Sequence, residues 1–172
     1  MVTHVSNRIN LPVFWDDEFK KLDYIHEPFN DTESLHKWAQ MGYGDKITGA
    51  MCDMRSEQPS WNNKFIEIFE AMGWKDVGTS YYRMGTGAVM PTHSDLYVKY
   101  IQLFGLAGAE HRVNRAVVFL EDWKSGHYSE VDGKPIVDWK AGQAAWWENS
   151  TPHSAANLGE EDRYTLQITG WI

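Results

Sequence analysis

The hydrophobic pattern changes period near residue 76. Before that point, apolar residues recur at steps of three and four, as on one face of a helix. Asn30-Asp31-Thr32 supplies a cap for a segment with Leu35, Trp38 and Ala39 on one side. A clearer helix starts after Pro59-Ser60, with Ser60 as its expected cap. Trp61, Phe65, Ile68, Phe69 and Met72 share a face, and Gly73 suits the left-handed position past the end. Residues 42–60, rich in glycine and turn formers, read as a loop between the two.

From Val77 onward the pattern is one of short β-branched and aromatic strands. The expected strands are 77–84, 89–95, 97–104, 113–121, 135–139, 143–148, 151–157 and 163–171. Turns such as Gly85-Thr86-Gly87, Gly105-Leu106-Ala107-Gly108, Gly126 and Asp132-Gly133 separate them. About eight strands in this spacing suit a sandwich, a barrel or a jelly roll. No helices alternate with them, which disfavours a parallel doubly wound sheet. The expected layout is one domain over residues 1–172, with a helical support region at 1–76 and a β core at 77–172.

Composition narrows the class. With 42% hydrophobic and 23% charged residues the chain is an ordinary globular one, not a disordered one. Nine Trp in 172 residues imply a large core or a cavity walled by rings. The apolar run from Ala116 to Leu120 ends at Glu121, far short of the ~20 residues of a membrane span. No leader pattern is visible, and one cysteine, Cys52, cannot form an internal disulfide, so a reducing, cytoplasmic setting is expected. A net charge of −8 argues against sequence-independent nucleic-acid binding. It leaves room for a small anion held by one or two buried arginines. The expected partner is a small-molecule or peptide substrate, with neither nucleic acid nor membrane.

Three groups of residues carry candidate chemistry. His93-Ser94-Asp95 closes an expected strand, and side chains two apart on a strand point to one side. Alone this reads first as a hydrogen-bonded His–Asp pair at a turn. His153, in Thr151-Pro152-His153-Ser154, adds a second imidazole from a distant strand. Two neutral imidazoles and one carboxylate form the facial triad for non-haem Fe(II), which leaves three adjacent positions open. Arg163 and Thr165 again alternate inward together. A buried guanidinium needs an anion and matches a carboxylate in two parallel hydrogen bonds. The competing reading of Arg163 is a surface arginine on a terminal strand.

As a set these residues resemble the Fe(II)- and 2-oxoglutarate-dependent oxygenases, prolyl 4-hydroxylase-like members above all. The family pattern is His-x-Asp, a distal His some fifty to sixty residues later, then Arg about ten residues on. Here it falls on His93, Asp95, His153, Arg163 and Thr165. Tyr82-Arg83-Met84-Gly85-Thr86-Gly87 looks like the approach to the first ligand. Trp139-Lys140-Ala141-Gly142 through Trp147 is similar to the strand-turn-strand before the distal His. Arg163 through Thr169 is similar to the closing strand. The resemblance covers roughly residues 80 to 171 and implies a double-stranded β-helix (jelly roll, cupin-like) with N-terminal helices. It implies Fe(II) on His93, Asp95 and His153, and 2-oxoglutarate as cosubstrate with its distal carboxylate on Arg163 and Thr165, with Tyr82 adding a hydrogen bond. O2 is the oxidant, ascorbate a possible reductant, and the activity hydroxylation of an amino-acid or peptidyl, prolyl-like substrate with release of succinate and CO2.

Departures bear on substrate. Collagen-type prolyl hydroxylases carry Lys where this chain has Arg163, whereas the oxygen-sensing type carries Arg. The family's Gly-Gly-acid-Thr stretch is replaced by Lys124 through Asp132. Related halogenases replace the carboxylate ligand with a small residue, so Asp95 favours hydroxylation.

Other conspicuous residues are expected to be structural. Trp146 and Trp147 alternate, so at most one faces the site. His111, Arg112 and Arg115 form a basic cluster read as a solvated loop, although one of them could grip a substrate carboxylate. His127 and Tyr128 read as loop residues at the barrel mouth, and Cys52 as a small buried or idle thiol. Two other classes of function remain open on the residues alone. One is a cupin-type dioxygenase or isomerase without 2-oxoglutarate, which has no use for Arg163 as a clamp. The other is a jelly-roll carbohydrate-binding module with tryptophan platforms, which needs no metal.

Overall fold

The computed structural model describes residues 6–26, 29, 31–44, 47, 49–53 and 58–172. Eleven strands and three α-helices follow one another among them. These are β1 (Ser6–Asn10), β2 (Ile25–His26), α1 (Thr32–Gln40), β3 (Ala50–Asp53), α2 (Asn62–Ala71), β4 (Lys75–Met84) and β5 (Val89–His93). Then come α3 (Val98–Phe104), β6 (Val113–Phe119), β7 (His127–Val131), β8 (Lys134–Ile136), β9 (Gln143–Glu148), β10 (His153–Asn157) and β11 (Arg163–Trp171). A seven-stranded sheet, β1-β9-β6-β11-β4-β3-β2, faces a four-stranded sheet, β5-β10-β7-β8. All strand pairs are antiparallel. This is the expected double-stranded β-helix.

Side-chain alternation on the large sheet separates two environments. On β11, Leu166 and Ile168 turn outward and pack with Tyr81 of β4, Ala116 and Val118 of β6, and Phe65 and Phe69 of α2. The odd-numbered residues Arg163, Thr165 and Gln167 turn inward, where a cavity lies between the sheets. A smaller inner cluster of Phe119, Val131, Ile136, Trp139, Ala145 and Trp147 fills the rest of the interior. Trp147 thus faces inward, and Trp146 packs against the outer core.

The outer core seats α2 as its apolar spacing requires. Phe65 is fully buried, with its ring 4.7 Å from Phe14, 5.1 Å from Trp15 and 5.9 Å from Trp61. Phe65→Ala is expected to lower stability by about 3–5 kcal/mol, because the surrounding rings cannot collapse into the space. Urea melts followed by circular dichroism measure this; a loss below about 1 kcal/mol is incompatible with this packing.

Several local expectations need correction. Residues 97–104 are not a strand. Tyr97 adopts a left-handed φ of 51°, the backbone leaves the sheet, and α3 runs to Gly105 at φ 64°. The β-branched and aromatic content of that stretch mimicked a strand, and local turn geometry decided otherwise. His127–Val131 is a strand, not a loop, with His127, Ser129 and Val131 buried in strict alternation. Ser60 does not cap α2; Trp61 holds that position without a side-chain cap, and the Ser60 amide donates to Glu18 instead. Asp31 does cap α1, accepting from the Glu33 and Ser34 amides. The first 76 residues supply β1, β2 and β3 as well as helices, and β3 lies inside the expected 42–60 loop. Positions 45, 46, 48 and 54–57 of that loop, and Asn30 of the cap motif, fall outside the described residues.

Candidate metal centre

His93 ends β5 and His153 begins β10, and the two sit directly opposite each other across the antiparallel pair. Asp95 lies two residues past the end of β5. Its Oδ1 is 3.6 Å from His93 Nε2 and its Oδ2 is 3.7 Å from His153 Nε2. The three potential ligand atoms lie within 4.8 Å of one another, so one cation can be reached by all of them.

Backbone carbonyls fix which imidazole nitrogen faces that point. His93 Nδ1 is 2.8 Å from the Pro91 carbonyl and His153 Nδ1 is 3.0 Å from the Thr151 carbonyl. A carbonyl only accepts, so each Nδ1 carries a proton, and Nε2 is the nitrogen each ring presents inward. Burial pushes the His153 pKa down to about 4, against the nearby Asp95 charge, so this ring is neutral at ordinary pH. Burial opposes ionisation of Asp95, yet the Arg115 charge first, and the carboxylate's contacts with the His93 and His153 imidazoles, outweigh it and hold its pKa well below the usual carboxylate range. Aromatic rings enclose the imidazoles. Phe29 lies 4.9 Å and Trp38 5.8 Å from His93, and Trp147 lies 4.9 Å from His153.

The cluster opens into a cavity of about 190 Å³ that Tyr82, Arg163 and Thr165 also line. Arg163 is only 4% exposed, and no carboxylate among the described residues pairs with it. Its Nη2 donates to Ser129 Oγ and its Nη1 lies 3.5 Å from Met84 Sδ, while Nε has no hydrogen-bond partner. The guanidinium lies 5.5 Å from the Trp139 ring and 5.9 Å from Phe119, which stack on each other at 4.1 Å. Burial lowers its pKa to about 10, only partly offset by Tyr82, which leaves it charged at neutral pH. Tyr82 stands across from Thr165 on β4, and burial pushes its phenol up to about 12 despite Arg163 nearby, so it stays a donor. A Cβ at Gly49 would come within 2.2 Å of the Tyr82 hydroxyl, so only glycine lets this ring sit where it does.

All six residues singled out in the sequence therefore share one cavity. Arg115 belongs there too, and its assignment to a solvated loop is overturned. It sits on β6 with its side chain turned inward, 3.3 Å from Asp95 Oδ2. Its inward parity with Phe119 on the same strand was the available signal. Of its supposed neighbours, Arg112 lies against the Trp171 ring at 4.4 Å, outside the cavity, and His111 is exposed. His127 is buried, its Nε2 donating to the Glu161 carbonyl at 2.9 Å. Gln167 carried the same signal, since it continues the inward alternation of Arg163 and Thr165 on β11, whereas Ser129 had none. Cys52 is buried in the outer core, away from the cavity.

Similarity to a solved structure supports the architecture. A prolyl-4-hydroxylase of Pseudomonas putida aligns over 98% of this chain and 93% of its own, with a TM-score of 0.60 and 13% identity. KdgF of Halomonas sp. aligns over 72% of this chain and 79% of its own at 14% identity, TM-score 0.43. The Schizosaccharomyces pombe Cnp3 cupin domain covers 72% of this chain and 65% of its own at 12% identity, TM-score 0.43. No protein-family model matches the sequence, and no curated protein matches it. At 13% identity the first likeness is one of fold. The chain is a double-stranded β-helix with a His–Asp–His cluster able to hold a metal. No described helix is long and apolar enough to cross a membrane.

Proposed function

We propose that this protein is a non-haem Fe(II)- and 2-oxoglutarate-dependent dioxygenase hydroxylating an amino-acid or peptidyl substrate, with succinate and CO2 as coproducts. The observation that carries this reading is Arg163. A guanidinium buried without an acid, with Nε unsatisfied, is costly unless an anion arrives to pair with it. It lies in the same cavity as a His–Asp–His cluster, and a dicarboxylate carries one anionic group for each. Fe(II) held by His93, Asp95 and His153 would, with 2-oxoglutarate and O2, supply the oxidising chemistry.

The chain's own groups account for binding and orientation. His93 and His153 present pinned Nε2 lone pairs, and Asp95 adds one negative oxygen, a set suited to Fe(II). Arg163 offers two parallel donors to a distal carboxylate, Thr165 and Tyr82 can each add a hydroxyl donor, and Phe119 and Trp139 keep water from that end. Phe29, Ile47 and Met51 line another wall of the cavity and leave an apolar approach for substrate.

Iron and 2-oxoglutarate together are expected to raise the melting temperature more than either alone. A ligand at a hundred times its Kd adds about 2.7 kcal/mol. Anaerobic thermal melts with Fe(II), or with Mn(II) as surrogate, give the shift. No added shift at millimolar 2-oxoglutarate would sink the proposal. Mass spectrometry of reactions with a peptide and amino-acid panel, scored for one added oxygen, then identifies the substrate.

A further inference from the structure

Arg115 is a charged group in the cavity that metal and cosubstrate binding leave unexplained. Its guanidinium is held from three sides. Nη2 faces Asp95 Oδ2 at 3.3 Å, Nη1 donates to Gln167 Oε1 of β11, and Nε lies 3.4 Å from the Tyr97 hydroxyl. The Tyr97 ring also lies 5.2 Å from the guanidinium carbon. Asp95 itself lies beyond the last residue of β5, so the sheet ladder does not fix its carboxylate.

We infer that Arg115 is a positioning residue that keeps Asp95 a one-oxygen ligand. This rests on the metal-site reading above. The two carboxylate oxygens already differ: Oδ1 faces His93 Nε2, while Oδ2 is shared between His153 Nε2 at 3.7 Å and the closer Arg115 Nη2 at 3.3 Å. A carboxylate binding through both oxygens takes two of six positions around an octahedral ion. Two imidazoles and a two-oxygen Asp95 then leave two sites, too few for a chelating 2-oxo acid and dioxygen together. Arg115 competes for Oδ2 through its positive charge, 3.3 Å away, and so keeps the third site free. Gln167 and Tyr97 hold the guanidinium in place for this.

The test counts water on bound Mn(II), by relaxivity or electron–nuclear double resonance, without 2-oxoglutarate. Wild type is expected to hold three waters and Arg115→Met two. Arg115→Lys, which retains a cation for Oδ2, is expected to return to three. Arg115→Ser, whose vacated space admits water, replaces the methionine variant if that one fails to fold, with the same expectation of two. Equal counts in wild type and the uncharged variant overturn the inference, as does a wild-type count of two. A second readout is the 2-oxoglutarate affinity of anaerobic Fe(II) protein. Arg115→Met is expected to weaken it about ten- to a hundredfold at saturating Fe(II), where its own change in metal affinity does not enter. If wild-type Fe(II) protein binds no 2-oxoglutarate, the proposed function fails, and the water counts alone still decide the role of Arg115.

Discussion

Replacing His93 or His153 with alanine is expected to abolish tight iron binding while leaving circular dichroism unchanged. Each removal takes away a donor whose lone pair is already oriented by a backbone carbonyl. The two remaining ligands no longer define a face of the ion, and solvent takes the lost position. Loss of groups that merely orient ligands typically costs ten- to a hundredfold in metal affinity, so loss of a ligand should exceed about a hundredfold. Asp95→Ala should do the same to iron and also lower the melting temperature. It strips Arg115 of its acid and leaves a cation in the cavity, a change of about 3–5 kcal/mol when fully buried and less here. Competition with a chromophoric chelator gives the affinities. Any of the three variants that is folded and binds iron as wild type does is not missing a ligand.

The site was legible in the sequence because strand parity survives even where strand boundaries do not. Arg163 and Thr165 point together from β11 by alternation alone, and Tyr82 and Met84 do so from β4. His93 was placed correctly on a strand end, but Asp95 lies past that end, so its orientation comes from side chains on β6 rather than from the ladder. That dependence is why Arg115 escaped. It belongs to a stretch correctly read as strand, and counting back from Phe119 by twos places it inside, yet its charge and its basic neighbours suggested solvent.

Elsewhere composition misled. Val98–Phe104 has the residues of a strand and the geometry of a helix, because Tyr97 and Gly105 both turn left-handed at its ends. His127–Val131 has the polar residues of a loop, yet the alternate burial of a strand. Its inward Ser129 hydroxyl accepts from Arg163, which no pattern in the chain could announce. The small strands β2 and β3 are set by pairing with β4, a tertiary effect that local propensity does not carry.

Changes at Arg163 should separate cosubstrate binding from metal binding and from stability. Arg163→Lys leaves a single point charge on a shorter reach and loses the bidentate match. One charge-assisted hydrogen bond is worth roughly 1.5–3 kcal/mol, so 2-oxoglutarate affinity should fall about ten- to a hundredfold with iron still bound. Arg163→Ala should fall further, because the incoming carboxylate would be buried without a countercharge. Arg163→Met tests the origin of the effect. In the ligand-free protein this guanidinium is desolvated with no acid beside it, and its lowered pKa records that cost. An apolar side chain of similar length between Phe119 and Met84 should therefore raise ligand-free stability, by something on the order of 1–3 kcal/mol. The same substitution should eliminate 2-oxoglutarate binding. The pair of measurements is an anaerobic titration following the visible charge-transfer band of the chelate, and a urea melt without ligands. Equal dissociation constants for wild type and all three variants would remove Arg163 from the site and favour a metal enzyme of this fold that takes no 2-oxo acid. A methionine variant that is less stable and still binds 2-oxoglutarate would show that the guanidinium is held for packing rather than for an anion.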